Sequence, residues 1–147
     1  SASMSEVDAQ AWKSSRHRDY AEKVRRIQDH GISVNACFII GFDNDGPDIF
    51  QHTLDYIDSL ELAEVQITLL TPFPGTSLRR RLRAEDRLLF DARWGHYTLF
   101  DLTFQPARMS IAAMRTGFHW LMREVYSPER TTSRRRIFQQ CIRQRQP

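Results

Sequence analysis

Apolar positions along the chain follow two different periods. Tyr20, Val24 and Ile27 recur at helical spacing with Trp12 ahead of them, and Gly31 stands where a helix can end on a left-handed residue. This predicts a helix over residues 6–30. Residues 32–40 are β-branched and apolar, which predicts a strand. Phe50, Leu54 and Ile57 return to helical spacing, so a helix is expected from Pro47, a residue suited to a first turn, to about Leu60. A second strand is predicted over 65–70 and a charged helix over 77–88, with Thr76 as its N-cap. Residues 89–109 are irregular and aromatic. Ser110 then caps a helix carrying Ile111, Met114, Phe118, Leu121 and Val125. The tail from Ser127 fits one more helix, with Ile137, Phe138 and Ile142 on one side.

Helix, strand, helix, strand, with a Pro/Gly loop after each strand, is the order of βα units on a parallel sheet. The predicted class is α/β, with βα units over 4–88 and a mainly helical region over 89–147 that ends in a basic tail. Two parallel strands would both be edges, so the first part reads as a portion of a larger sheet. Side chains alternate across each strand. Val34, Ala36, Phe38 and Ile40 share an apolar face with Val65, Ile67 and Leu69. Asn35, Cys37, Gln66 and Thr68 share a more polar one. Parallel strands are usually covered on both faces, and a barrel packed only for stability favours bulky aliphatics inside. The polar face therefore suggests an interior that holds a ligand and water.

Composition narrows the classes. The chain has 147 residues, 41% hydrophobic and 27% charged, enough for one domain with a real core. No apolar run approaches the length of a bilayer span, and residues 1–16 are too polar for a secretory leader, so the cytoplasm is expected. Cys37 and Cys141 are too few for a disulfide framework or for the thiolates of an iron–sulfur cluster. Cys37 reads as a small buried residue. The five histidines show no metal-ligand spacing. The net charge of +3 is concentrated in arginine clusters at 79–87 and 130–145. No aromatics alternate with the arginines of the first cluster, so a solvated helix face is preferred over a nucleic-acid surface.

In α/β folds, ligands bind in the loops that follow the strands. Gly41 would let a ligand approach the backbone, and Asp43 and Asp45 are hydrogen-bond acceptors for it, or else they shape the turn and cap the next helix. The run from Asp43 to Gly46 is not a calcium loop, because position 54, where the bidentate Glu belongs, is Leu. The second loop, from Leu70 to Thr76, is stiffened by Pro72 and Pro74. Trp94, Tyr97, Phe100 and Phe104 read as core under a long loop, with Tyr97 the exception that would reach a pocket. Glu85, Asp86 and Asp101 are expected to pair with nearby arginines.

Gly31-Ile32, the run from Phe38 to Asp43 and the run from Leu70 to Thr76 resemble the late barrel strands of radical S-adenosylmethionine enzymes. The likeness is greatest to members with an N-terminal cobalamin-binding domain. Leu82, residues 85–88, Trp94, Tyr97, Phe104, Pro106 and Met109-Ser110 are similar to the domain that follows the barrel in that group. The resemblance covers roughly residues 20–128. It implies a partial TIM-like barrel of which this chain carries only the last strands. It also implies S-adenosylmethionine on a 4Fe–4S cluster held by a Cys-x3-Cys-x2-Cys loop, a 5′-deoxyadenosyl radical and, in some members, cobalamin. That cysteine loop is not in this sequence, so the chain alone is expected to be inactive. Gly41, Asp43, Leu70 and Pro72 become the expected cofactor neighbours. Asn35, Cys37, Asp45, Gln66, Thr68 and Tyr97 become the expected cavity residues. The expected partner is the rest of the barrel or a complementing chain, with self-association through open edges in its absence. The competing reading is a non-catalytic module that binds a partner or polyanion through its arginines.

Overall fold

Helix α1, His17–Asp29, leads into the sheet in a computed structural model that describes residues 17–143. The predicted stretch before it, with Trp12, lies outside the described residues. Of the three large apolar residues predicted to face inward, Val24 packs against the core, whereas Tyr20 and Ile27 are exposed. Ala21 and buried Gln28 complete the inward stripe. The Gln28 amide donates to the Glu61 carbonyl and accepts from the Ala63 N–H, both at 3.0 Å, and so pins α1 to the turn before the second strand. Gly31 is left-handed at φ 74°. The Gly31 N–H reaches the Gln28 carbonyl and the Ile32 N–H the Ile27 carbonyl, which closes the helix in a Schellman turn. That turn uses the Ile32 backbone, and strand β1 accordingly begins at Asn35 and runs to Ile40, later than predicted.

Helix α2, Ile49–Ser59, strand β2, Glu64–Leu69, and helix α3, Ser77–Ala84, follow. Helix α3 stops four residues before its predicted end at Leu88. Asp86 turns left-handed at φ 54°, and the Asp86 and Arg87 N–H groups bond back to Arg83 and Leu82. The chain then forms an antiparallel bridge between Leu88 and Phe104 around a short 3-10 turn at Trp94–His96. Helices α4, Ile111–Val125, and α5, Pro128–Arg143, finish the described residues. Both predicted caps are present: Thr76 Oγ1 accepts from the Arg79 N–H at 3.2 Å and Ser110 Oγ from the Ala113 N–H at 3.0 Å.

The strands pair in parallel, Ala36 opposite Val65, Phe38 opposite Ile67 and Ile40 opposite Leu69. This is an α/β arrangement with a small two-stranded sheet that does not close on itself. One hydrophobic cluster joins both halves of the chain, from Ile40 and Ile67 in the sheet to Leu121 and Val125 in α4. The contact between α2 and α4 depends on Gly117. A Cβ there would lie 2.1 Å from the Phe50 ring.

The two edges of the sheet differ. In a parallel pair, a residue's N–H and C=O point to the same side. The Glu64 N–H bonds to Val34 and the Leu70 N–H to Ile40, so Val65, Ile67 and Leu69 direct their backbone groups outward. The chain itself occupies part of that edge. The Tyr126 hydroxyl donates to the Val65 carbonyl at 2.9 Å, and the Leu69 N–H donates to the Leu99 carbonyl at 2.7 Å. On β1, Asn35, Cys37 and Ile39 direct their backbone groups to the opposite edge, where no described strand pairs with them. Both strands are edges of the described sheet, as expected, but the β2 edge is partly occupied by the chain itself.

Candidate functional site at the strand ends

Gly41 ends β1 with φ 116°, a conformation that side chains resist. It is buried, and a Cβ there would sit 3.3 Å from the Phe104 ring and 3.5 Å from Leu70 Cβ. The sequence therefore needs glycine at this point, where backbone, Leu70 and the second half of the chain meet. The Leu70 N–H continues the sheet by donating to the Ile40 carbonyl at 2.8 Å.

The two loop carboxylates are engaged in shaping the loop. Asp45 Oδ2 accepts from the N–H groups of Gly41 at 2.7 Å and Phe42 at 2.9 Å, fixing the turn. Asp43 accepts from Arg81 and, at 2.9 Å, from Arg87. Burial alone would raise the Asp43 carboxyl, but the Arg87 and Arg81 guanidiniums outweigh it and hold it below its ordinary value. Glu85 pairs with the same two arginines, as expected, whereas Asp101 accepts from the Thr98 hydroxyl instead. Helix α2 has no side-chain cap from Asp48, so these acids shape the loop rather than cap the helix.

The second loop is held by Arg79. Its side chain is only 6% exposed. It donates to the buried Pro72 carbonyl at 3.3 Å, to the Tyr97 hydroxyl and to Asp91. Its guanidinium lies 4.8 Å from the Trp94 ring centre and 5.1 Å from that of Tyr97. Tyr97 in turn donates to the Phe90 carbonyl at 2.7 Å, so it stands in this cage. Arg79, read from the sequence as part of a solvated arginine face, is instead buried, and Asp91 was not singled out. The only available signal was the place of Arg79 three residues after a capping Thr. Phe104 is core, as expected, but Trp94, in the 3-10 turn, and Phe100, beyond it, are half-exposed.

Cys37, Gln66 and Thr68 share the second face of the sheet, with Cys37 Sγ 3.6 Å from Gln66 Oε1. Thr68 is buried and Gln66 half-buried. Cys37 is exposed, contrary to the expectation of a buried thiol, because no described element covers this face of β1. Asn35 shares the face but sits at the start of the strand, about 20 Å of chain from Gly41. The strand ends thus bring together Gly41, Leu70 and Pro72, Tyr97 is tied to Pro72 through Arg79, and Asn35 lies apart at the other end of β1. Cys37 is exposed and Cys141 buried in α5, and two thiols do not fit a 4Fe–4S cluster. No group of three or more His, Cys, Asp or Glu among the described residues is arranged to hold a metal, and no described helix is long and apolar enough to cross a membrane.

The chain is 34% identical over 113 residues to the bacteriochlorophyllide d C-12(1)-methyltransferase of Chlorobaculum tepidum, covering 77% of this chain and 24% of that protein. It is 36% identical over 70 residues to the hopanoid C-2 methylase of Rhodopseudomonas palustris, covering 48% and 13%. It is 30% identical over 80 residues to an uncharacterized methyltransferase of Pyrococcus horikoshii, covering 54% and 17%. These matches bear out the resemblance: the chain is related to the C-terminal part of the radical S-adenosylmethionine enzymes of the cobalamin-binding group. Residues 76–147 match the family described as a domain of unknown function, DUF4070. The chain spans about a quarter of the first of these relatives and less of the others.

Proposed function

We propose that this chain supplies the last strands of a partial TIM-like barrel in a methyl-transferring radical S-adenosylmethionine enzyme, and with them one wall of the cofactor and substrate cavity. The observation that carries this reading is the asymmetry of the sheet. The β2 edge is partly occupied by Tyr126 and Leu99, whereas the β1 edge is unpaired among the described residues and Cys37 on it is exposed. The remaining strands and the cluster cysteines belong on the β1 side, from the same polypeptide or a complementing chain. Gly41, Leu70 and Pro72 then stand nearest S-adenosylmethionine, Gln66 and Thr68 line the interior, and Asp43 sets the shape of the first loop. The relatives are named for methyl transfer to a bacteriochlorophyllide and a hopanoid, which favours methyl transfer for the whole protein; cobalamin as methyl carrier is what the family resemblance implies. With two cysteines the chain has no activity alone.

The polyanion reading gains little support. Arg81, Arg83, Arg87 and Arg130 all donate to carboxylates of the chain itself, and Arg134 donates to the Val125 carbonyl. The cavity reading is tested by Gln66→Ala and Thr68→Val in the enzyme that carries this segment. Formation of 5′-deoxyadenosine should show a KM for S-adenosylmethionine raised roughly tenfold, the worth of one or two lost polar contacts. An unchanged KM in both variants counts against the cavity.

A further inference from the structure

A second pocket, of about 450 Å³, lies beyond the loop that follows β2. Pro74, Gly75, Arg79, Arg80, Arg83 and Trp94 form most of its wall, and no carboxylate lines it. Arg79 is a fixed charge, held from three sides by Pro72, Tyr97 and Asp91. Arg83 shares Asp91 Oδ1 at 2.7 Å. Arg80 donates to a neutral acceptor, the Gly75 carbonyl, at 3.0 Å. Two of the three guanidiniums share the single Asp91 carboxylate, which stands outside the lining, and Arg80 pairs with none, so positive charge is in surplus. Trp94, 53% exposed, adds a flat apolar wall beside this surplus of positive charge. The volume lies within the range of small-molecule sites, and the Arg79 cage fixes one wall in advance of binding.

We propose that this pocket binds a small planar organic anion, a carboxylate or phosphate on a ring, with its charge at Arg80 and Arg83 and its ring against Trp94. The site is separate from the strand-end cavity and does not rest on the reading of that cavity. Its single aromatic wall suits a small molecule rather than a nucleic-acid strand, which stacks on successive aromatics. The test is a titration of the full chain with benzoate, phenyl phosphate and the neutral isostere benzamide, followed by tryptophan fluorescence. Both anions should give a saturable change that Trp94→Phe abolishes. Benzamide should bind at least ~10-fold more weakly, and Arg80→Gln should weaken benzoate about tenfold with circular dichroism unchanged. Arg80 is exposed, so that variant keeps the fold. Equal affinity for benzoate and benzamide, an unaltered affinity in Arg80→Gln, or no saturable change with either anion overturns the proposal.

Discussion

The Tyr126 hydroxyl donates to the Val65 carbonyl at 2.9 Å, joining the end of α4 to the outer edge of β2 across 61 residues of sequence. It occupies a backbone group that would otherwise be offered to another strand. Tyr126→Phe keeps the ring and removes only the donor. It should cost about 1 kcal/mol in urea denaturation, with an unchanged m-value.

Gly117 meets the Phe50 ring so closely that a methyl group cannot enter without displacing that ring. Gly117→Ala should destabilise by roughly 1–3 kcal/mol, the usual cost of overpacking, despite the better helix propensity of alanine. The paired change Gly117→Ala with Phe50→Leu should recover part of that loss, because the clash is with the ring.

Asp43 has a folded-state pKa below its unfolded one, because Arg87 and Arg81 outweigh burial. Its contribution is therefore fully present above the unfolded value, roughly pH 3.9, and is lost as pH falls through the lower folded value. Asp43→Asn should cost on the order of 1 kcal/mol at neutral pH. It should also flatten the acid side of the stability curve, measured by urea denaturation from pH 6 downward.

Arg79 donates to two segments of the chain that meet nowhere else through a buried charge among the described residues. Arg79→Met should destabilise by roughly 2–3 kcal/mol and loosen the segment around Trp94, seen as a red shift in tryptophan emission. Arg79→Lys keeps the charge but cannot serve all three acceptors with the same geometry, and should fall between the two.

Periodicity and turn chemistry made most of the elements legible. Both strands, the helix caps at Thr76 and Ser110, the Gly31 helix end and the shared polar face were all readable from residue type and spacing. The misses have local causes. The Schellman turn at Ile32 shortened β1, and left-handed Asp86 shortened α3, a conformation that an Asp permits but does not announce. At the site, Gly41 and the Pro72 loop were visible as turn formers. The roles of Asp43, Asp45 and Arg79 depend on partners 3 to 44 residues away, which spacing alone does not reveal. Nor could the sequence distinguish the two sheet edges, because that difference rests on Tyr126 and Leu99 reaching back to β2.

The open β1 edge is tested most directly by amide hydrogen exchange at Cys37 and Ile39, with Leu69 as an internal control. In the chain alone, Cys37 and Ile39 should exchange quickly and Leu69, bonded to Leu99, slowly. On adding the polypeptide segment that carries the cluster cysteines, Cys37 and Ile39 should become protected while Leu69 stays as it was. Unchanged fast exchange at Cys37 and Ile39 after the segment has bound would contradict the assignment of this chain to the last strands of a barrel.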